Sequence, residues 1–446
     1  MKSAQELMQS LTRNGKIRFT HDQRGKVLPF FTRNPERAKF QSGFHPVVGS
    51  LVRRSLNLSM PAEFEDGIVD YELLKTSVNR NGVPDERIMQ VFTDAAVERV
   101  HLPRLLAYSP LSDGNEARGD ISVADFIYQL YGFAGNTTWT AFFKNESATN
   151  PYERLILANA KQLDELKGKD TQFQFMKVSE LQTKFNGDLT NILKSRQFFD
   201  EHIDTFLAFY YFTYLVKLIA SVERTDHNGN DFKPYYALES ERLSQSRRAA
   251  GNHSFRILRI SAKNLLVETD VLDYINILLD RDYLFMPDIM ALTGSERNDL
   301  EHELRVFITQ FNYGMPTHKI ENLNVEAADL GELIRLLRSL LTKNMQLETL
   351  SRYMKSFDEI AKLDFVKARG RLGKTFNISD ELLITLVGVV LGDQKMMLND
   401  FFSELEVRGI YLDRSSRDHF AELLNNRNLL EKMSDSGDAQ YVKPLF

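Results

Sequence analysis

The segment from Ala368 to Thr375 comes nearest to a catalytic motif in this chain. It reads Ala-Arg-Gly-Arg-Leu-Gly-Lys-Thr, a relaxed phosphate-binding loop with Ala in place of the first Gly. Such a loop needs a strand before it and a helix that begins at the Lys and Thr, because the backbone N–H groups of that helix then converge on the phosphate. The helix that follows here cannot comfortably begin before Ser379. We therefore interpret the segment as a basic linker into the C-terminal part of the chain.

The residue types of hydrolytic and metal-dependent enzymes occur elsewhere without the spacing that those enzymes need. A metal-dependent nuclease requires paired acids and a Lys that converge on a metal and a phosphodiester. Glu165-Leu-Lys167 offers these residue types, but it lies in a charged segment that is predicted to be an exposed helical surface, where this spacing is common by chance. His302-Glu303 lacks the second His of a zinc-protease helix, and there is no Gly-x-Ser-x-Gly elbow and no Cys. The sequence predicts a protein that is not an enzyme and that uses no cofactor or metal.

Basic side chains near the N-terminus are better suited to bind a ligand. Between Arg13 and Arg54 the chain has ten basic residues and two acidic ones, a local net charge of +8 in a chain whose total is −5. Phe residues and loop signals such as Asn14-Gly15 are interleaved with these cations. A basic, aromatic, loop-rich arm suits a nucleic-acid backbone or an acidic partner surface. It equally fits an arm that lies on the acidic body of its own chain.

A second basic stretch without acids runs from Ser244 to Val267. It could join the N-terminal arm in one phosphate-binding surface, and an ordinary exposed hairpin is the alternative. The side chains predicted to contact double-stranded DNA through its backbone come from both stretches: Arg13, Lys16, Arg18, Arg24, Lys26, Arg33, Arg37, Lys39, Arg53, Arg54, Arg247, Arg248, Arg256 and Arg259.

Length and composition indicate several folded regions. The 446 residues are enough for two or three domains, and a hydrophobic content of 43% supports real cores. The first residues lack the apolar core of a signal peptide, and the absence of Cys fits a reducing compartment, so we expect a cytoplasmic protein without membrane contact. We predict a basic arm over residues 1–60, a helical body over 61–365 and a winged-helix-like domain over 366–446.

The body is predicted to be mainly α-helical because its apolar residues recur at spacings of three and four. The most apolar run, Thr205 to Val216, is interpreted as a buried helix too short to cross a bilayer about 30 Å thick. The best strand-like runs are Phe255 to Ile260 and Leu265 to Glu268. The other predicted helices are Val69 to Leu74, Ile88 to Val97, Ile121 to Leu130, Tyr152 to Leu166, Leu189 to Phe199, Asp204 to Val222, Val271 to Leu279, Glu296 to Phe311, Leu330 to Leu341 and Leu347 to Lys362.

The C-terminal residues predict three helices followed by a β-hairpin. The first helix has Ser379 as N-cap and ends at Gly392, the second ends at Gly409, and Asp413 caps the third. The runs from Leu429 to Met433 and from Ala439 to Val442 predict two short strands around a tight turn. Three helices and a hairpin form the outline of a winged helix.

Charge argues against DNA binding by this unit. From Phe376 to Phe446 there are seven basic and twelve acidic residues, a net charge of −5. The outward face of the third helix is predicted to carry Arg414, Asp418, Glu422 and Asn425, so two carboxylates would face phosphates. We therefore favour protein docking over DNA contact. A helical cap on the neighbouring body is a third possibility.

The tail carries one resemblance to a known family. The sequence Leu429-Leu-Glu-Lys-Met-Ser-Asp-Ser-Gly-Asp-Ala-Gln-Tyr-Val442-Lys443, after a helix that ends near Asn425, resembles the end of the G subunit of the DNA phosphorothioation-dependent restriction system, the DptG family. With its helices this tail covers about a sixth of the chain, and it is not a catalytic signature.

The resemblance implies a bacterial defence component that works with an ATPase subunit and a helicase-like subunit. Together these restrict DNA that lacks sulfur in its backbone, and this chain would be the non-catalytic member that joins partners and helps to hold DNA. The alternative from another class of protein is a winged-helix transcriptional regulator with a helical sensor domain. That alternative requires the third helix to read bases, with Arg414 and Arg417 as the important side chains.

Overall fold

Helices make up most of the described chain, which confirms the predicted mainly α fold class. The structure is a computed structural model that describes residues 1–17, 26–61, 67–70, 72–74, 76, 101–144, 150–168, 171–222, 232–243, 255–315, 318–432 and 440–446. In these residues the α-helices are α1 Ala4–Leu11, α2 His45–Ser55, α3 Glu116–Leu130, α4 Thr137–Phe142, α5 Pro151–Ala158, α6 Ser179–Ile192, α7 Arg196–Val222, α8 Phe255–Lys263, α9 Leu265–Leu279, α10 Met286–Met290, α11 Gly294–Gly314, α12 Leu330–Asn344, α13 Leu347–Leu350, α14 Arg352–Ala361, α15 Asp380–Leu391, α16 Leu398–Val407 and α17 Arg414–Asn426.

The strands are short and form four small sheets. They are β1 Thr12–Arg13, β2 Lys16–Ile17, β3 Leu58–Ser59, β4 Asp164–Glu165, β5 Tyr236–Leu238, β6 Val366–Ala368, β7 Lys374–Ile378, β8 Met396–Met397, β9 Leu430–Lys432 and β10 Gln440–Val442. Two sheets have two strands, β1-β2 and β3-β4, and two have three, in the orders β5-β7-β6 and β8-β10-β9. The β5-β7 pair is parallel, while the named pairs of the other sheets are antiparallel.

Helix α7 forms the centre of the core. It buries eighteen of its 27 residues, including the Phe and Tyr side chains from Phe206 to Tyr214, so apolar contacts surround it on every side. The prediction that this helix is buried is confirmed. The prediction that it is too short to cross a bilayer is wrong, because α7 begins at Arg196 and continues past Lys217 to Val222. By length and composition alone α7 could span a membrane, but 78% of its most apolar 18-residue stretch is buried inside the protein.

Helix α2 packs tightly against α3 and the loops around it. The N-terminal segment therefore contains a buried helix over His45–Ser55 in addition to its loops. A Cβ added at Gly119 of α3 would lie 2.3 Å from the backbone nitrogen of Ala38. Glycine is thus required where the segment that carries the basic residues crosses α3.

Both strands predicted within and at the end of the second basic stretch are wrong. Phe255 to Ile260 lies in α8, and Leu265 to Glu268 forms the first turn of α9. The buried residues of α8 are Phe255, Leu258 and Ala262, which follow helical spacing, and Ile260 between them is 65% exposed. A run of only six branched and basic residues fits the two-residue period of a strand as well as the 3.6-residue period of a helix. The segment was therefore too short for the sequence to distinguish the two.

Several predicted helices have different limits in the structure. The segment Tyr152 to Leu166 is helical only as far as Ala158, because the Asn159 side chain bonds back to the Leu155 carbonyl and the chain then enters β4. Glu165 therefore lies in a strand. Leu189 to Phe199 is not one helix, since Ser195 separates α6 from α7 and caps the latter. Ile88 to Val97 lies outside the described residues.

The last seventy residues contain α15, β8, α16, α17, β9 and β10 in that order, which we call the C-terminal unit. Ser379 and Asp413 cap α15 and α17 as predicted, each accepting a bond from a backbone N–H three residues on. Gly392 and Gly409 follow the first two helices with φ of 57° and 85°. Strand β10 pairs with β9 and also with β8, which sequence analysis did not predict.

Candidate nucleic-acid and partner interfaces

The predicted DNA-binding cations occupy different environments. Arg18, Arg24, Arg247 and Arg248 lie outside the described residues. Arg13 and Lys16 are exposed on either side of the Asn14-Gly15 turn, and Arg256 is exposed on α8. Within the described chain these three make no ion pair, so their charges face solvent.

Arg53 is a structural residue of the core. Its side chain is buried, and the guanidinium donates to the carbonyls of Ala107 and Ser109 at 3.1 and 2.8 Å and to Ser50 Oγ at 2.9 Å. Burial lowers the pKa of Arg53 to about 10. The guanidinium therefore tethers α2 to the 103–109 segment and does not present its charge to a ligand.

Four further predicted cations are engaged by side chains of their own chain. One of the four, Lys26, is partly buried, and this burial lowers its pKa. The contacts are Lys39 to Glu116 at 3.5 Å, Arg54 to Asp125 at 3.5 Å, Arg259 to both oxygens of Asp358, and Lys26 over the rings of Phe31 and Phe173. For Lys39 and Arg54 the arrangement matches the alternative in which the N-terminal arm lies on the acidic body. Lys26 contacts aromatic rings instead, and Arg259 belongs to the second basic stretch.

Arg33 and Arg37 line a polar cleft of about 480 Å³ between the 32–37 loop and α13–α14. Arg352 and Lys355 of α14 line the same cleft, although sequence analysis did not select them. Their spacing of three places them together on a helix whose opposite face buries Phe357. That spacing on an amphipathic helix is the sequence signal that could have identified them.

The segment that resembles a phosphate-binding loop forms a β-hairpin. Residues 366–368 and 374–378 pair as β6 and β7, and the Arg369 guanidinium donates to the carbonyls of Glu241 and Leu238 and to Asn377 Oδ1. Lys374 and Thr375 begin a strand, so no helix N-terminus converges on a phosphate there. Helix α15 begins only after Ser379, as the sequence predicted.

The exposed face of α17 has the predicted composition. Arg414, Asp418, Glu422 and Asn425 are all exposed, which gives two carboxylates against one guanidinium. The second arginine of this helix, Arg417, is ion-paired with Glu406 and lies over the ring of Phe402.

A groove of about 520 Å³ runs beside this face, between α16, α17 and β10. Its apolar lining comes from Leu398, Phe402, Leu412 and Ala421. Apolar surface rimmed by charges of both signs is typical of protein docking sites.

A buried ion-pair network joins the C-terminal unit to the body. Arg408 donates to both carboxylate oxygens of Asp188 at 2.7 and 2.5 Å, and also to Glu404. Tyr210 of α7 donates to the same Asp188 carboxylate at 2.6 Å. Burial opposes the charge of Arg408, but its bonds to Asp188 outweigh burial and raise its pKa. Lys184 of α6 continues the network to Glu404 of α16, so two helices of the body bond to the C-terminal unit through this network.

Among the described residues, no cluster of three or more His, Asp or Glu side chains is arranged to hold a metal ion. No protein-family model matches this chain, and a search of curated proteins finds no match either.

Proposed function

We propose that this chain is a non-catalytic adaptor and DNA-holding subunit of a bacterial restriction complex that acts on DNA lacking phosphorothioate modification. It acts in the cytoplasm with an ATPase subunit and a helicase-like subunit, joins these partners and holds duplex DNA through its backbone. The resemblance of the tail to the DptG family supports this proposal, and the surfaces of the C-terminal unit and the N-terminal segment are compatible with it.

The exposed face of α17 is the observation that carries the adaptor role. A helix that enters the major groove lies among phosphates, and each carboxylate on its face raises the cost of approach. Here Asp418 and Glu422 outnumber Arg414, and an apolar groove lies directly beside them. This combination suits a protein partner better than DNA.

The topology of the C-terminal unit supports a winged-helix-like domain. Strand β8 lies between the first two helices and pairs with β10, which in turn pairs with β9. A winged helix is expected to have its elements in this order: a helix, a strand, two helices and a two-stranded wing. In this chain the helix that usually reads DNA would be used to bind a partner subunit.

DNA is held, in this proposal, by the exposed basic residues of the N-terminal segment. Arg13, Lys16 and Arg33 face solvent, whereas Arg53 is buried among carbonyls. Contacts from such side chains to phosphates carry no base information, so binding should be insensitive to sequence and fall steeply with salt.

A restriction assay in the native host tests the function. Deleting the chain should abolish restriction of unmodified plasmid, and the wild-type chain should restore it. The Asp418→Lys/Glu422→Lys variant should fail to restore restriction because the docking face is reversed in charge. The matched control, Glu321→Lys/Glu326→Lys, reverses two acids that are also exposed but lie in a loop outside the C-terminal unit. Restriction that persists without the chain would contradict the proposal.

The non-catalytic part of the proposal has its own test. The purified chain should neither hydrolyse ATP nor cut DNA. ATP turnover that disappears in Lys374→Ala would contradict this and would assign the β6–β7 hairpin to nucleotide binding.

The alternative, a winged-helix transcriptional regulator, depends on Arg414 and Arg417 reading bases. Arg417 is already held by Glu406 and Phe402, which weighs against this role. A footprint on one promoter that is lost in Arg417→Ala would support the regulator, and equal binding to unrelated duplexes would oppose it.

A further inference from the structure

Arg37 is a buried arginine whose Nε has no hydrogen-bond partner among the described residues. The residue is 7% exposed, and its Nε is enclosed without an acceptor. Among the described residues two other arginines are buried, Arg53 and Arg408. Arg53 donates to two carbonyls and a hydroxyl, and Arg408 donates to two carboxylates and a carbonyl. Burying a charged donor without an acceptor is costly, so the Arg37 site is incomplete on its own.

The nearest compensating charge does not complete it. Burial lowers the pKa of Arg37, and Glu359 acts in the opposite direction through its charge. The Glu359 carboxylate, however, bonds to Lys362 at 2.8 Å and makes no hydrogen bond to Arg37. Within the part of the chain that the structure describes, the guanidinium of Arg37 thus lacks the two parallel acceptors that its planar geometry favours.

The surroundings of Arg37 are strongly basic. Arg33, Arg37, Arg352 and Lys355 line the cleft together with one acid, Glu348. Glu348 is a weak counter-charge because its side chain is 76% exposed and its oxygen lies 3.9 Å from Arg352. Lys355 is exposed and makes no ion pair with any described residue.

The remaining lining narrows the ligand class. Thr32 and Asn34 add polar groups, and the lining contains no aromatic or large aliphatic side chain on which a base could stack. A compact oxyanion meets these requirements: it supplies acceptors to Arg37 and takes counter-charge from the other three cations.

We infer that this cleft is an oxyanion site that takes one backbone phosphate of duplex DNA, with Arg37 as its anchor and Arg352 and Lys355 as residues that the sequence did not assign to DNA. This inference rests on the proposed DNA-holding role. Arg33 and Lys355 at the exposed rim are placed to meet phosphates that flank the anchored one.

Fluorescence anisotropy of a labelled duplex at several salt concentrations tests the inference on the full chain. Lys355→Ala should weaken binding and flatten the log–log salt slope by about one unit. Arg37→Met should weaken it roughly tenfold or more, because a charge-assisted bond to phosphate is lost. Lys343→Ala is the matched control, since this lysine is also exposed and unpaired among the described residues but does not line the cleft.

A second arm uses inorganic phosphate. Phosphate should raise the melting temperature of the wild type more than chloride does at equal ionic strength, and Arg37→Met should remove the difference. Phosphate stabilisation without duplex binding would overturn the assignment to DNA. If both cleft variants bind the duplex as the wild type does, the assignment of the cleft as a phosphate site is overturned. The proposed adaptor function would not be affected, because the restriction assay tests it separately. Lys355→Ala keeps the test valid if Arg37→Met does not fold.

Discussion

Replacing Arg408 by Met should be among the most destabilising single changes in this chain. Arg408 is 3% exposed and Asp188 is 2% exposed. Removing the guanidinium therefore leaves a buried carboxylate whose remaining hydrogen-bond donor, among the residues that the structure describes, is the Tyr210 hydroxyl. Breaking a buried ion pair from one side typically costs about 3–5 kcal/mol, most of it from the uncompensated charge. Because Arg408 belongs to the C-terminal unit and Asp188 to α6, the loss should also loosen the unit from the body.

The control for Arg408→Met is Lys194→Met, which breaks the exposed pair of Lys194 with Asp393 across the same two regions. An exposed pair contributes about 1 kcal/mol or less, so this variant should unfold close to the wild type. The double variant Arg408→Met/Asp188→Leu should recover part of the loss, since it leaves no buried charge without a partner.

Urea unfolding followed by the fluorescence of Trp139, together with limited proteolysis of the C-terminal unit, measures these effects. Trp139 is fully buried in the body and is the sole Trp of the sequence, so its signal reports the body rather than the unit. Equal unfolding midpoints for Arg408→Met and Lys194→Met would refute the reasoning.

Two further predictions concern packing and pH. Gly388→Ala should destabilise by about 1–3 kcal/mol, because a Cβ there would lie 2.1 Å from the Phe198 ring, whereas Gly187→Ala, also within a helix but in open space, should stabilise by up to about 1 kcal/mol. Thermal unfolding of both variants measures the contrast, and equal shifts would contradict the close packing of α15 on α7. Burial raises the pKa of Asp120 to about 6 from an ordinary value of 3.8, so the folded state holds this proton more tightly and loses stability as pH rises through that window. The free energy of unfolding of Asp120→Asn should therefore equal that of the wild type near pH 3.8 and exceed it above about pH 6, by at most about 3 kcal/mol. A difference in stability that does not change with pH would contradict this assignment.

Local signals in the sequence predicted the C-terminal unit well because caps and glycines act over a few residues. Ser379, Asp413, Gly392 and Gly409 each mark a helix end in the structure. Strand β8 was missed because two residues, Met396 and Met397, carry no periodicity, and their pairing with β10 is a long-range contact.

The sites were harder to predict than the helices. A count of basic residues could not separate Arg53, which bonds to carbonyls inside the core, from Arg33, which is exposed. It also could not place Arg352 and Lys355 beside Arg37 in the same cleft, because more than three hundred residues of sequence separate them from it. Burial and pairing decide whether a cation can meet a phosphate, and both depend on the tertiary fold.

Affinity purification of the tagged full-length chain from its native host, followed by mass spectrometry, tests the adaptor role most directly. We expect an ATPase and a helicase-like protein to be recovered with the wild type and with Glu321→Lys/Glu326→Lys, and to be lost with Asp418→Lys/Glu422→Lys. Recovery of neither protein with the wild-type chain would contradict the account, and recovery of both with the charge-reversed face would move the docking site away from α17.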